Sequence, residues 1–505
     1  MPTHIDDVAS PHAPRDSTGP RVHMDGRVLR SLSALELPTV PELEDCIRCG
    51  LCLSVCPTYR PTGVEGDSPR GRVALVKAQV EGIIDPTAPV FQEHMDRCLQ
   101  CMACYTVCPT GVNTGTIVAR QKAHAHAVRP RTLRQKLLYY VVFKNLFPFY
   151  DRLELASVPL RLYRNSGLRA LVRASGLLRR LPGPLWLMEA LLPDRLGAPA
   201  RGRIADVTPA HRHAGEGGPS IQPAPSVPLA PRHAPAEPPH AVPVEHDEGA
   251  ATPHVAFHLC CMNDILFPDA CAASVRVLAR GGATVTTPKN ITCCGAPHET
   301  EGEMEVGRAL ARQNIARYEE IGADYVVTDA AACGAAFKLY GRWLEHDPRW
   351  RARAARFSAK VRDINEFLDE AGVAPPLGAL SGSPRVTYDD PCHLCHAQGV
   401  VRAPRALLNA IPDIDYVELP EAQWCCGSAG TYNITQPAMA EIILRDKVEH
   451  IRSTGADIVA SANPGCMLQL EAGMRRYGVK GQVRHVVELL DEAYSNGDAR
   501  KKDRR

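Results

Sequence analysis

CIRCGLCLSVCP, residues 46–57, and CLQCMACYTVCP, residues 98–109, spell one pattern twice: C-x2-C-x2-C-x3-C-P. Cys46, Cys49, Cys52 and Cys56 fill the first copy, and Cys98, Cys101, Cys104 and Cys108 the second. This is the bacterial ferredoxin run, whose thiolates hold cubane [4Fe–4S] clusters and whose fourth cysteine, ahead of proline, serves the other cluster. The spacing therefore assigns Cys46, Cys49, Cys52 and Cys108 to one cluster, and Cys98, Cys101, Cys104 and Cys56 to a second. Zinc ribbons use two separated C-x2-C knuckles, a poor match to three knuckled cysteines and a fourth before proline. Two clusters in one chain suit the relay of single electrons.

Around these runs the spacing predicts a helical, two-cluster ferredoxin-like domain over residues 41–128. A helix over Gly71–Gly82, opened by Asp67-Ser68-Pro69, separates the runs, and a shorter one over Pro86–Arg97 leads into the second. Arg70 and Arg72 stand where they could face a cluster's negative charge or cap the helix. Residues 1–40 lack periodicity and read as a flexible tail without the basic and apolar regions of a signal peptide. Residues 129–196 form a basic amphipathic helical segment, in which thirteen Lys and Arg face four Asp and Glu, a net +9. Such a helix, with Tyr, Phe and Trp on its apolar side, can lie in a membrane interface or pack on protein. Residues 197–252, rich in Pro, Ala and His, cannot bury enough apolar area to offset chain entropy and read as a linker. No apolar run reaches the length of a spanning helix. The 505 residues carry a formal net charge of +2 and 45% hydrophobic residues, which favours neither nucleic acid nor a strongly acidic partner. Nineteen cysteines in metal-ligand spacings, rather than in a small secreted framework, point to a reducing compartment, the cytoplasm.

The C-terminal half is duplicated, as residues 253–380 and 381–495, with a charged tail over 496–505. Cys260, Cys293 and Cys294 recur 132 residues later as Cys392, Cys425 and Cys426, and Cys333 recurs 133 later as Cys466. Each copy reads strand, helix, strand, Cys-Cys-Gly, helix, strand, cysteine, which predicts α/β units with parallel sheets. Ligands then gather at the carboxyl edge of the strands. Consecutive side chains alternate in a strand, so the glycine after each pair is read as the turn that lets both sulfurs face one metal centre. Cys271 sits in a helical pattern and reads as core. Cys395, in CHLC, has no counterpart in the first copy. Cys260 and Cys261 compete for one position, and the offset favours Cys260. Four soft thiolates per copy suit an iron–sulfur cluster or zinc. His258, His298, His393 and His396 lie near these motifs and are read as structural. The whole is an α+β and α/β multidomain chain.

The chain resembles the iron–sulfur subunit of bacterial glycolate oxidase and, more widely, proteins with tandem CCG domains. These include lactate-utilisation iron–sulfur proteins, an anaerobic glycerol-3-phosphate dehydrogenase subunit and heterodisulfide reductase. The stretches that carry the likeness are residues 46–82, EHMDRCLQCMACYTVCPTGV, CCGAPH, DDPCHL, CCGSAGTYNI and ANPGCMLQL. The resemblance makes Cys261, not Cys260, the ligand beside Cys293, Cys294 and Cys333, with Cys392, Cys425, Cys426 and Cys466 in the second copy. Heterodisulfide reductase ends each motif with C-x2-C, whereas only Cys333 and Cys466 stand here, which speaks for the glycolate oxidase branch. The resemblance implies an oxidoreductase subunit that transfers electrons, beside a partner that oxidises a 2-hydroxy acid on FAD, with the quinone pool as acceptor and peripheral membrane association. No G-x-G-x-x-G follows a strand, so FAD is expected on the partner, not here. The alternatives are a subunit of a lactate or glycerol-3-phosphate dehydrogenase, or an autonomous CCG enzyme of the heterodisulfide reductase kind.

Overall fold

Thr39 opens the first helix, Val40–Glu44, with a capping box in which Glu42 answers from the third position. Ser68 does the same for Pro69–Val80, its hydroxyl accepting from Gly71 N–H and Pro69 occupying the first helical position. That helix buries Val73 and Val76 against Leu43, Phe91, Met95, Ile117 and Val118, so that helices Pro89–Asp96 and Thr114–Val128 complete a small helical core under the two cysteine loops. A computed structural model describes residues 37–128, 132–176, 189–193, 196–211 and 252–503. The expected tail over 1–36 and the stretches 177–188 and 212–251 lie outside the described residues.

The basic segment is helical: Leu133–Tyr139 runs into a π-helical stretch, Tyr140–Leu146, followed by Tyr150–Asn165 and Leu168–Ala174. Two of its arginines are buried rather than solvated. Arg164 donates to Pro193 O, and Arg169 pairs with Glu189. Residues 197–211, expected within the linker, instead join the first repeat. Ala200 is fully buried, Arg201 N–H donates to Asp264 Oδ1 at 2.7 Å, and β1 (Val207–Thr208) adds an antiparallel edge to the first sheet.

Each repeat holds four parallel strands where three were expected. The first sheet has the order β1-β3-β2-β4-β5, with β2 His254–His258, β3 Thr284–Thr286, β4 Tyr325–Thr328 and β5 Val361–Asp363. The second runs β7-β6-β8-β9, with β6 Arg385–Tyr388, β7 Asp415–Tyr416, β8 Ile458–Ser461 and β9 Gln482–His485. The short central strands are nearly all buried, as sheets covered on both faces require. The expected tail is not one: helix Val486–Asp503 runs through it, Arg280 pairs with Asp498, and Val487, Leu490 and Ala493 share a core with Val275, Val277 and Leu278. The two repeats are thus welded face to face. Ala331 N–H donates to Ala462 O at 3.0 Å and His485 Nε2 meets Asp329 O at 2.8 Å across the seam.

Candidate metal centres

Both ferredoxin-type loops curl by the same device. Arg48 and Gly50 in the first, and Gln100 and Met102 in the second, take left-handed backbone at matching positions between the cysteines. Three of these four carry a side chain, so the surrounding packing must hold a conformation that L-residues disfavour. A cavity is lined by Cys56, Cys98, Cys101 and Cys104 together with Arg72, the cross-over set expected from the spacing. Burial pushes the Cys104 thiol up, with Cys98 and Cys56 as its nearest charges. Around the other set, Cys46 and Cys108 share the core cluster of the unit, Cys52 lies near Cys46, and Cys49 is exposed. Arg72 is buried, donating from Nε to His94 O at 2.8 Å and from Nη2 to Thr58 Oγ1 at 3.1 Å, beside Cys98 and Cys56. Arg70 instead spans the first loop, donating to Arg48 O at 3.2 Å while paired with Glu65. Each arginine attends one loop.

In the duplicated half every cysteine group lies beyond the carboxyl end of a strand. The two Cys-Cys-Gly turns stand furthest out, after loops that follow β3 and β7. Gly295 and Gly427 have φ of 88° and 84°, and each donates its N–H to the sulfur of Cys293 or Cys425 at 3.5 Å. A side chain at Gly427 would sit 2.8 Å from Ala440 O, so the turn needs glycine for space as well as for φ.

Strand register gives Cys260 and Cys261 different counterparts in the second repeat. Val255 pairs with Tyr325 and Val386 with Ile458, so the first strand of each repeat is offset by 131 residues. Cys261 therefore corresponds to Cys392, each the first residue of its helix, while Cys260 corresponds to Pro391 and Asp264 to Cys395. Cys260 is nevertheless not a bystander. The thiols of Cys260, Cys261, Cys293, Cys294 and Cys333 are all buried, and each lies near enough to two of the others to act on its proton. Cys293 and Cys333 hold the Cys294 thiol beside them below the usual thiol range. In the second repeat four thiols stand in the same relation, Cys392 near Cys425, Cys425 near Cys426 and Cys426 near Cys466. Cys395 stands apart, its sulfur directed to Asp390 O and Cys392 O at 4.0 and 3.9 Å, and Cys271 lies in the core. Among the described residues no three His, Cys, Asp or Glu side chains close around a point of single-ion size. Converging soft thiols, with backbone N–H groups aimed at two of them, are a donor set that fits an iron–sulfur centre.

Residues 255–338 and 386–471 match the family described as a cysteine-rich domain, residues 42–112 a 4Fe-4S dicluster domain, and residues 134–192 the linker region of the glycolate oxidase iron–sulfur subunit. The chain is 37% identical over 455 residues to a probable glycolate oxidase iron–sulfur subunit of Bacillus subtilis, covering 90% of this chain and 94% of that one. It is 30% identical to the glycolate oxidase iron–sulfur subunit of Escherichia coli, covering 91% and 96%. The chain belongs to the glycolate oxidase iron–sulfur subunit family. A lactate utilization protein A of Oceanobacillus iheyensis is 32% identical over 246 residues, 48% of this chain and 99% of that protein.

As a member of this family the chain is an iron–sulfur protein and one subunit of an oxidoreductase complex, beside a catalytic partner. Among the described residues no helix is long and apolar enough to cross a membrane. Three of the four histidines near the motifs are hydrogen bonded within the fold, and the fourth is partly buried. His258 bonds Tyr318 Oη, His298 bonds Phe143 O, His396 bonds Gln423 O, and His393 is held with its pKa lowered by burial. Burial depresses His258 to about 3, so it is neutral.

Sequence reading missed two functional features. Lys447 and Asp389 form a fully buried ion pair of 2.8 Å beside Cys426, and Lys447 also donates to Ala422 O at 2.6 Å. Burial opposes the ammonium, but the Asp389 carboxylate outweighs it and leaves Lys447 protonated. A lysine and an aspartate 58 residues apart carry no local sign of pairing. The other is the cover over each thiol set. Segment 143–153 lies on the first, with Tyr150 Oη donating to Leu259 O and Cys293 N–H to Pro148 O. The second ferredoxin-type loop lies on the second.

Proposed function

We propose that this chain is the electron-relay subunit of a glycolate oxidase-type complex. Two [4Fe–4S] clusters, held by Cys46, Cys49, Cys52 and Cys108 and by Cys98, Cys101, Cys104 and Cys56, receive electrons singly from FAD on the partner subunit, which oxidises glycolate to glyoxylate. The electrons pass towards membrane quinone, with the complex at the cytoplasmic face. Further thiolate-bound metal is expected at Cys261, Cys293, Cys294 and Cys333, with Cys260 as a fifth donor, and at Cys392, Cys425, Cys426 and Cys466. The cubane supplies one-electron chemistry when bound. The chain's own part is to exclude water, orient the sulfurs through left-handed loops and neutralise charge with Arg72 and Arg70.

The observation that carries this reading is the cavity lined by Cys56 from the first run and Cys98, Cys101 and Cys104 from the second, in a chain that aligns over nine-tenths of its length with glycolate oxidase iron–sulfur subunits. Anaerobic purification of the tagged chain should bring down a flavin-containing subunit, and dithionite should develop the paramagnetic resonance of two cubanes. Flavin-free preparations without that resonance would sink the proposal. The lactate utilization relatives support a second substrate. Glycolate and lactate offered to the purified complex separate the two.

A further inference from the structure

The two thiol sets are alike in sequence but differ in what touches them. Among the described residues, the hydrophobic cluster around Cys260, Cys261, Cys293, Cys294 and Cys333 contains nothing from the ferredoxin-type unit. Its cover is Leu146, Phe147, Tyr150 and Leu153 of the basic segment. The cluster around the second set is a junction: Leu99, Cys101 and Ala103 of the second ferredoxin-type loop pack with Trp424, Cys425 and Tyr432, and Cys392 lies at its margin. Cys101 and Cys425 are both buried. Cys101 thus has Cys392 and Cys425 of the second repeat as neighbours as well as Cys104 of its own loop. Tyr432 clamps the junction, its hydroxyl donating to Arg97 O at 2.9 Å, next to Cys98. Arg60 adds a second clamp, its guanidinium 4.1 Å from the Trp424 ring and 2.9 Å from Glu421.

The charges differ as well. The helix Pro437–Thr454 corresponds to Met304–Ile321 at an offset of 133, which places Asn314 where Lys447 stands, and strand register places His258 where Asp389 stands. At these two positions the first site carries neutral groups, with Asn314 bonded to Cys293 O and Tyr340 Oη. The second keeps a buried ammonium at its thiols. Burying an ion pair costs stability that a hydrophobic pair would not, so its presence at one site only calls for a reason beyond folding. The Asp389 carboxylate acts on Cys392, Cys426 and Cys466 and the Lys447 ammonium on Cys426, so the buried pair brings both signs of charge to these thiols.

We propose that Cys392, Cys425, Cys426 and Cys466 hold a redox-active iron–sulfur centre that exchanges single electrons directly with the ferredoxin-type cluster of Cys56, Cys98, Cys101 and Cys104 across the Cys101 junction, while the five-thiol first site stands off that path. The inference rests on the two ferredoxin-type clusters of the proposed function. In the step one electron leaves the ferredoxin-type cluster, which is oxidised by one, and enters the second-repeat centre, which is reduced by one. No bond is broken.

The test is electron paramagnetic resonance on the anaerobically reconstituted full chain, with iron and zinc counted. In the wild type the ferredoxin-type signal should broaden and relax faster as the second-repeat centre becomes paramagnetic during stepwise reduction. Cys466→Ser, remote from the junction, should lower the power needed for half-saturation several-fold, whereas Cys294→Ser in the first repeat should leave it unchanged. A wild-type signal that stays narrow through full reduction, or zinc in place of iron at the second repeat, overturns the inference and leaves the relay reading intact. The wild-type measurement decides even where Cys466→Ser fails to fold. Loss of all ferredoxin-type resonance in the wild type would instead fell both.

Discussion

Arg72 heads the fully buried side chains by volume, and its guanidinium is spent on Thr58, His94 O and the neighbourhood of Cys56 and Cys98. Arg72→Met keeps the bulk and drops the charge. Stability should fall by about 1–3 kcal/mol for the buried acceptors left unpaired, and the midpoint potential of the adjoining cluster should move negative, both read from one anaerobic preparation. Gly427→Ala forces a Cβ to 2.8 Å from a backbone carbonyl at a φ of 84°. The strain, about 1–3 kcal/mol, should appear as metal lost from the second repeat alone, with the ferredoxin-type signal retained at full intensity. Gly295→Ala meets the Trp343 ring at 3.0 Å, a side chain that can shift, so its effect should be smaller.

At the scale of elements, Tyr150 ties the helix Tyr150–Asn165 to the first thiol site through its hydroxyl, while Arg201 covers its ring at 4.1 Å. Tyr150→Phe should leave Leu259 O unpaired at a cost of about 1–3 kcal/mol, seen as faster amide exchange in residues 143–165 with the repeats themselves unaffected. The turn from β5 into the next helix holds another test. Asp363 caps helix Ile364–Glu370, accepting from Asn365 N–H at 2.9 Å, yet burial raises its carboxyl to about 7. Its folded pKa lies above the ordinary 3.8, so the unfolded chain binds fewer protons between those values. The stabilisation is complete at acid pH and is lost as pH rises through 7, at up to about 1.4 kcal/mol per pH unit. Asp363→Asn should flatten this slope in thermal melts between pH 5 and pH 8, and an unaltered slope would show that Asp363 titrates normally.

For the whole molecule, the outward side of the basic segment is the largest unexplained surface. Leu133, Leu137, Tyr140 and Val141 stand exposed at helical spacing, as do Leu155, Val158 and Leu162 on the next helix. The opposite side of the same segment is docked on the first repeat, so the amphipathic pattern packs inward on protein and leaves an apolar face outward that a membrane surface or a partner would cover under the proposed function. With the chain at the membrane face, the double variant Leu155→Glu, Leu162→Glu should keep its full iron content and sediment less with membranes. Equal sedimentation of wild type and variant would remove this surface from the attachment.

What could be read from the residues alone was what depends on near neighbours. The two ferredoxin-type cysteine runs are legible because each spaces its sulfurs two or three residues apart, and the parallel repeats because strand and helix periods are local. The duplication was legible for the same reason, down to the glycine turns after each cysteine pair. Only the tertiary structure decided that Cys261 is the counterpart of Cys392, because a one-residue shift in a strand's register is invisible in cysteine spacing. It also recruited residues 197–211 to a sheet, carried the last helix through a charged tail and paired Lys447 with Asp389. The meeting of Cys101 with Cys425 belongs to the same class. Burial and the charges that share it are set by which surfaces close on one another, and chain distance holds no record of that.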